Sequence, residues 1–214
     1  MCNQLKRLKR KKSTGVDDLT TSMIKDSENS IAPILSHVIN LSLNTGTFPN
    51  AWKLAKVTPI YKSGPVNDPE NYRPKSVLPV ISKIIERAVK AQLMEFLESN
   101  NLIDPGQYGY RKSRSTEDAA TKLCDDIRRH ANNGCLVGSV FVDLRKAFDT
   151  ISHSNLIQKL SSYGLRSTEL EWFSSYLFNR RQIVHIEGTF SKGQPLTSFQ
   201  DTSCWQGLPP GKTI

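Results

Sequence analysis

Ile31, Leu35, Val38, Ile39, Leu41 and Leu43 recur mostly three or four positions apart, a spacing that predicts an amphipathic helix ending at Gly46. Ahead of it, Thr14-Gly15-Val16-Asp17-Asp18 reads as a turn feeding a helix, with an aspartate available as N-cap. The longest stripe runs through Val80, Ile81, Ile84, Ile85, Ala88, Val89, Leu93, Phe96 and Leu97. It follows Pro79, a good first-turn residue, and predicts a helix whose apolar face is core. Thr116-Glu117-Asp118 opens another helix, with Ala119, Ala120, Leu123 and Ile127 inward and Arg128 and Arg129 outward, stopping near Asn132-Asn133-Gly134. Two more helices are predicted over Ser154 to Tyr163 and Ser167 to Asn179.

Strand patterns fall between these helices. Leu54 to Tyr61 has strand character, and Ser63 to Pro69, with Gly64, Pro65, Asn67 and Pro69, reads as the loop to a second strand. Leu136 to Val142 is a continuous apolar run rich in β-branched and aromatic residues, which predicts a strand covered on both faces. Gln182 to Glu187 alternates polar with apolar, as a half-buried strand does.

Composition changes this picture in one respect. The chain has 214 residues and a formal charge of +9, long enough for a sizeable core and basic enough to suggest a polyanionic partner. Lys6, Arg7, Lys9, Arg10, Lys11 and Lys12 carry six of those charges, so residues 13 to 214 hold only +3. The excess belongs to the lead, read either as a nuclear-targeting or nucleic-acid-binding run or as a solvated, disordered arm. Cys2, Cys124, Cys135 and Cys204 lack zinc-site spacing, and the four histidines form no metal motif, which argues against zinc and a disulfide framework. No apolar run reaches the ~18 residues of a membrane span, and no apolar stretch of a signal peptide follows the charged N-terminus. The expectation is a soluble intracellular protein with no membrane partner; a nuclear location rests on the lead.

Asp143 is the leading candidate for chemistry, because an acid closing a buried apolar strand needs a reason. Two-metal phosphoryl transfer gives one: hard divalent cations take oxygen ligands, and a strand end fixes a carboxylate well. A plain capping role at the strand end is the alternative. Tyr108 and Tyr110 interleave with Arg111, Lys112 and Arg114, a pattern suited to a nucleic-acid strand, where cations meet phosphates and rings meet bases. The alternative has both tyrosines inward and the cations merely solvated.

Phe141-Val142-Asp143-Leu144-Arg145-Lys146-Ala147-Phe148-Asp149 resembles the first catalytic motif of reverse transcriptases, in particular those of LINE-type (non-LTR, jockey-like) retrotransposons. Three segments resembling that family's finger motifs precede it in the family's order: Phe48 to Lys62, Asn71 to Leu78, and Gln107 to Thr116. Gly207-Leu208-Pro209-Pro210-Gly211 is similar to the next palm motif, usually Gly-Val-Pro-Gln-Gly, with Pro210 in place of the amide. The resemblance spans about Thr14 to Ile214. It implies an α/β (α+β) fold with right-hand polymerase fingers and a partial palm, its helices packed on a small mixed/antiparallel sheet. The expected division is a basic lead over 1–13, fingers and finger-palm helices over 14–135, and the first part of the palm over 136–214.

By resemblance, Asp143 is the catalytic residue and would bind Mg²⁺, with Mn²⁺ as a substitute. Lys62 and Arg73 would grip the triphosphate, Phe148 would sit under the incoming sugar as a gate against a 2′-hydroxyl, and Gly207 and Gly211 would let backbone approach the new base pair. Tyr110, Arg111, Lys112 and Arg114 would hold nucleic acid. The implied partners are an RNA template, a DNA primer and deoxynucleoside triphosphates. Lys75 stands where the family customarily has Ile, introducing a charge where packing is expected. Asp149 is read as a local turn acceptor at Thr150-Ile151.

The adjacent aspartate pair of the family does not occur by Ile214, and neither Asp17-Asp18 nor Asp125-Asp126 substitutes for it. The expectation is therefore the family's RNA-directed DNA polymerase activity for the whole enzyme and little or none for this chain alone. A non-catalytic retroelement remnant that at most binds RNA is the second reading. A nucleotide hydrolase is the remote third, since Gly207 to Thr213 has one residue too few between its glycines for a phosphate loop.

Overall fold

The computed structural model describes residues 5–6, 8–143, 151–186 and 188–195. In these residues the helices are α1 (Thr21–Asp26), α2 (Glu28–Asn44), α3 (Val80–Ser99), α4 (Thr116–Asn132), α5 (His153–Ser162) and α6 (Ser167–Leu177). The strands are β1 (Leu54–Tyr61), β2 (Tyr72–Val77), β3 (Arg181–Ile186), β4 (Thr189–Phe190) and β5 (Gln194–Pro195). The chain divides into two compact units, residues 1–92 with 146–214 and residues 93–145, and the division falls within α3.

The first unit is built on a central parallel pair, β1 with β3, in the register Leu54 to Arg181 and Val57 to Val184. β2 pairs antiparallel with β1, and β4 and β5 pair antiparallel with β3. The expected α+β architecture with a small mixed sheet is thus present. Val57 and Val184 are fully buried on one face of the pair, as strand alternation requires.

The helical core of this unit gathers Ile24, Ala32, Leu35, Ile39, Phe48, Val80, Ile84, Ile85 and Trp172. Phe48 is its centre: Trp52, Trp172 and Tyr176 meet it edge-on at centroid distances of 6.1, 5.5 and 5.1 Å, the geometry ring quadrupoles favour. Two hydroxyls tie α2 and its following turn to α6. Ser42 Oγ accepts from Trp172 Nε1 at 3.1 Å and donates to the Thr47 carbonyl at 2.6 Å. Ser175 Oγ accepts from the Phe48 amide at 2.9 Å.

Over its described residues the lead keeps its cations exposed but is anchored by two leucines. Leu5 and Leu8 are buried in the same core, and Lys25 Nζ donates to the carbonyls of Lys6 and Leu8. Thr21 Oγ1 accepts from the Lys11 amide at 2.7 Å and Arg10 pairs with Asp26. Two leucines spaced one helical turn apart explain the anchoring, and the charge run around them concealed it. The N-cap of α1 is Thr20 rather than an aspartate: Asp18 has φ +52°, so Thr20 is the residue left in extended conformation, and its Oγ1 accepts from the Met23 amide at 3.1 Å.

Within the second unit, α4 spans the predicted residues and starts with a capping box, Ser115 and Asp118 satisfying each other's backbone amides. Its apolar stripe is not inward, however, since none of α4's residues is buried. Ala119 and Ile127 are half-buried, Ala120 and Leu123 exposed. Local capping and the Lys122–Asp126 pair at 2.6 Å hold the helix instead. The strand expected over Leu136 to Val142 is not formed: among the described residues the segment has no ladder partner, and Phe141 is 81 % exposed. A strand has no stability without lateral partners and covered faces.

Candidate functional site

The hairpin β1/β2 carries the first group of candidates. Its register sets Ile60 opposite Arg73, Thr58 opposite Lys75 and Lys56 opposite Val77. The Lys62 amide donates to the Asn71 carbonyl at 2.8 Å and extends the pairing by one step. Alternation along each strand then puts Lys56, Thr58, Ile60 and Lys62 on the same face as Arg73 and Lys75. This strand face carries four cations and no acid, with Asp68 and Glu70 in the adjoining loop. Lys62, Arg73 and Lys75 are exposed, and half-buried Lys56 donates to Thr14 Oγ1 at 3.4 Å. The charge at Lys75 therefore costs no packing, because its position faces solvent.

The loop joining the strands is closed on itself. Asn71 Nδ2 donates to the Pro65 carbonyl at 3.0 Å, Tyr72 Oη to the Val66 carbonyl at 2.9 Å, and Tyr61 Oη to the Gly64 carbonyl. Gly64 has φ +97°, and a Cβ there would lie 2.6 Å from Asn71 Nδ2. Only glycine fits that turn. Lys62 and Arg73 are thus diagonal neighbours at the base of a fixed hairpin, as the sequence reading placed them.

The second group lies between α3 and α4. Tyr110 is 77 % exposed with φ +63°, and Ser113 has φ +59°. Lys112 and Arg114 are exposed, and the Arg114 guanidinium lies 5.3 Å from the Tyr108 ring centroid, a cation–π distance. Arg111 differs from its neighbours. Its Nε and Nη2 donate to the two carboxylate oxygens of Glu98 at 3.0 and 2.6 Å, and Nη1 donates to the Asp104 carbonyl at 3.1 Å. The hydrogen bond from Arg111 holds the Glu98 carboxyl below its ordinary range, and Glu98 in turn raises the guanidinium.

Asp143 belongs to the second unit, follows the apolar run Leu136 to Val142 and is exposed. Its carboxylate is the hard donor a divalent cation takes. Among the described residues no three acidic, histidine or cysteine side chains converge on a metal-sized site, so these residues do not by themselves make a cation centre. Phe148, Gly207 and Gly211 lie outside the described residues.

Two residues escaped the sequence reading. Lys53 and Arg180 immediately precede β1 and β3, adjacent in the parallel register, and are only 5 % and 7 % exposed. Arg180 stacks 4.7 Å from the Tyr176 centroid and donates to the Tyr176 carbonyl at 3.1 Å, at the end of α6 where the helix dipole favours a cation. Burial and then Arg180 push the Lys53 ammonium down from its ordinary value. The aromatics beside them in sequence, Trp52 and Phe178, were the available signal.

Comparison with known proteins gives a consistent answer. Residues 60–214 match the family described as reverse transcriptase (RNA-dependent DNA polymerase). The chain is 30 % identical over 194 residues to a probable RNA-directed DNA polymerase from transposon BS of Drosophila melanogaster, covering 87 % of this chain and 21 % of that protein. It is 27 % identical to the RNA-directed DNA polymerase from mobile element jockey of the same fly, over 99 % of this chain and 22 % of that protein. A retrovirus-related Pol polyprotein from the type-1 element R2 of Popillia japonica is 26 % identical over 80 % of the chain and 23 % of its own length. The chain thus spans about a fifth of the length of these relatives.

Proposed function

This chain belongs to the reverse transcriptase (RNA-dependent DNA polymerase) family, and we propose that it supplies the fingers and the first part of the palm of a non-LTR retrotransposon polymerase. The observation that carries this reading is the acid-free cationic face of the β1/β2 hairpin, with Lys62 and Arg73 fixed at its base by the closed loop. A point charge and a planar guanidinium on one rigid face suit the oxygens of a triphosphate. Phe148 would stand under the incoming sugar, and Gly207 and Gly211 would face the new base pair. Tyr110, Lys112 and Arg114 would hold an RNA template paired with a DNA primer.

Reverse transcriptases depend on divalent metal, and Asp143 is the carboxylate we assign to it, as one ligand of Mg²⁺ or Mn²⁺. The metal supplies charge neutralisation at the reacting phosphate; the hairpin and loop supply position. A second reading is an RNA-binding chain without catalysis; among the described residues no group of three His, Cys, Asp or Glu side chains joins Asp143 in a cation site.

The test is calorimetric titration of the chain with a deoxynucleoside triphosphate, with and without Mg²⁺, against Lys62→Ala and Arg73→Ala. Removing either cation is expected to weaken binding about tenfold, the size of one charge-assisted contact of ~1.5 kcal/mol. Wild-type affinity in both variants would overturn the assignment. Primer extension by the whole polymerase that contains this segment separates the two readings: the catalytic one requires synthesis that Asp143→Asn abolishes, and the second requires synthesis that Asp143→Asn leaves unchanged, or none.

A further inference from the structure

The loop from Asn101 to Ser115 contains three non-glycine residues at positive φ, namely Asn101, Tyr110 and Ser113. Side chains seldom hold that conformation unless their surroundings over-determine it. Local bonds hold part of the loop, such as the Gly106 amide on Asp104 Oδ1 at 2.7 Å, and one side chain reaches across it. Arg111 sits between Tyr110 and Ser113, and all three guanidinium nitrogens are engaged: two on the carboxylate of Glu98, in the last turn of α3, and one on the Asp104 carbonyl across the loop. The Arg111 side chain is only 12 % exposed, in contrast to exposed Tyr110, Lys112 and Arg114.

We propose that Glu98 is a positioning residue for template binding: with Arg111 it forms a clamp that fixes Tyr110, Lys112 and Arg114 for the RNA strand, and Arg111 itself contacts no phosphate. This rests on the assignment of that loop to the template and replaces the role expected for Arg111 with a different one. A bidentate pair has a fixed plane and direction, so it sets the orientation of the loop as well as its attachment. Lysine at 111 keeps the charge and loses that fork.

The two roles for Arg111 give opposite results in Glu98→Gln. Removing a carboxylate beside a polyanion site strengthens binding if Arg111 is a phosphate ligand set free by the change. If the pair is a clamp, the loop populates its competent shape less often, and apparent affinity falls by that population with the contacts of the bound state unchanged. The experiment is fluorescence anisotropy with a single-stranded RNA oligomer, on the full chain, over a range of salt concentrations. For Glu98→Gln and Arg111→Lys we expect about tenfold weaker binding with the wild-type dependence of log Kd on log salt. The charge-reversed double variant Glu98→Arg with Arg111→Glu is expected to regain most of the loss, which a misfolded protein would not do.

Binding by Glu98→Gln as tight as wild type or tighter overturns the clamp, as does a double variant no better than the single ones. Absence of RNA binding by the wild-type chain is a different failure: it removes the template assignment of the loop on which the clamp rests.

Discussion

Replacing Ser42 by Ala withdraws two hydrogen bonds, one of them inside the core. Ser42 is 5 % and Trp172 3 % exposed, so the indole N–H loses its acceptor in the core, while the carbonyl of exposed Thr47 loses a donor that solvent can replace. A buried group left unsatisfied costs about 1–3 kcal/mol, so Ser42→Ala should destabilise the protein by about that amount. Trp172→Phe removes the indole donor outright; it also loses part of the stack on Tyr176 at 5.4 Å and so costs stability of its own. In that background Ser42→Ala affects only the Thr47 carbonyl, and most of its cost should disappear. Urea unfolding of the four proteins, followed by far-ultraviolet circular dichroism, gives a double-mutant cycle with an expected coupling of about 1–2 kcal/mol. The bond joins α2 to α6, so the coupling measures how much this one pair contributes to holding the two helices together. Additivity within about 0.5 kcal/mol would refute the reasoning, since residues that share no interaction behave that way.

Lys53→Met should stabilise the protein by about 1–3 kcal/mol at neutral pH, because a buried cation beside another cation gives way to an apolar side chain of similar length. The folded Lys53 binds its proton less tightly than the unfolded chain does, so wild-type stability should rise with pH from the depressed value towards 10.5, and the variant should lack that rise. Tyr176 works in the opposite direction: burial first, then Glu86, pushes its hydroxyl up to about 12. The unfolded state ionises first, so stability present below pH 10 should be lost between pH 10 and about 12, by roughly 2–3 kcal/mol, and Tyr176→Phe should abolish that loss in alkaline melting curves. Gly64→Ala should weaken the hairpin by about 1–3 kcal/mol through its φ of +97° and the clash with Asn71, read as faster hydrogen exchange at the Lys62 amide.

Where the helix pattern was long, it was legible almost to the residue. The stripe from Val80 to Leu97 became α3, and Gly46, at φ +61°, ends the turn after α2 as its position required. The hairpin was equally readable, because Gly64 and three flanking turn formers separate two β-rich runs. Periodicity reports which side of an element is apolar and says nothing about what covers it. That is why α4 carries the predicted stripe uncovered, and why Leu136 to Val142, with strand composition, lies exposed without a ladder. The same limit works in reverse at Leu5 and Leu8, which six neighbouring cations disguised, and at Gln182, a polar residue buried on β3. Lys62 and Arg73 were named from the family resemblance and their place either side of the loop, and the hairpin register sets them diagonally on one face. The engagement of Arg111 by Glu98, thirteen positions earlier, followed from no local pattern.

The proposal that nucleic acid is held through the loop of Tyr110, Lys112 and Arg114 is tested most directly by the salt dependence of RNA binding by the wild-type chain and by Lys112→Ala and Arg114→Ala. Single-strand contacts contribute about 0.7 each to the slope of log affinity against log salt, so each variant should bind more weakly and lower the slope by about that amount. Binding that is absent, or that keeps the same affinity and slope when both cations are removed, would contradict the account.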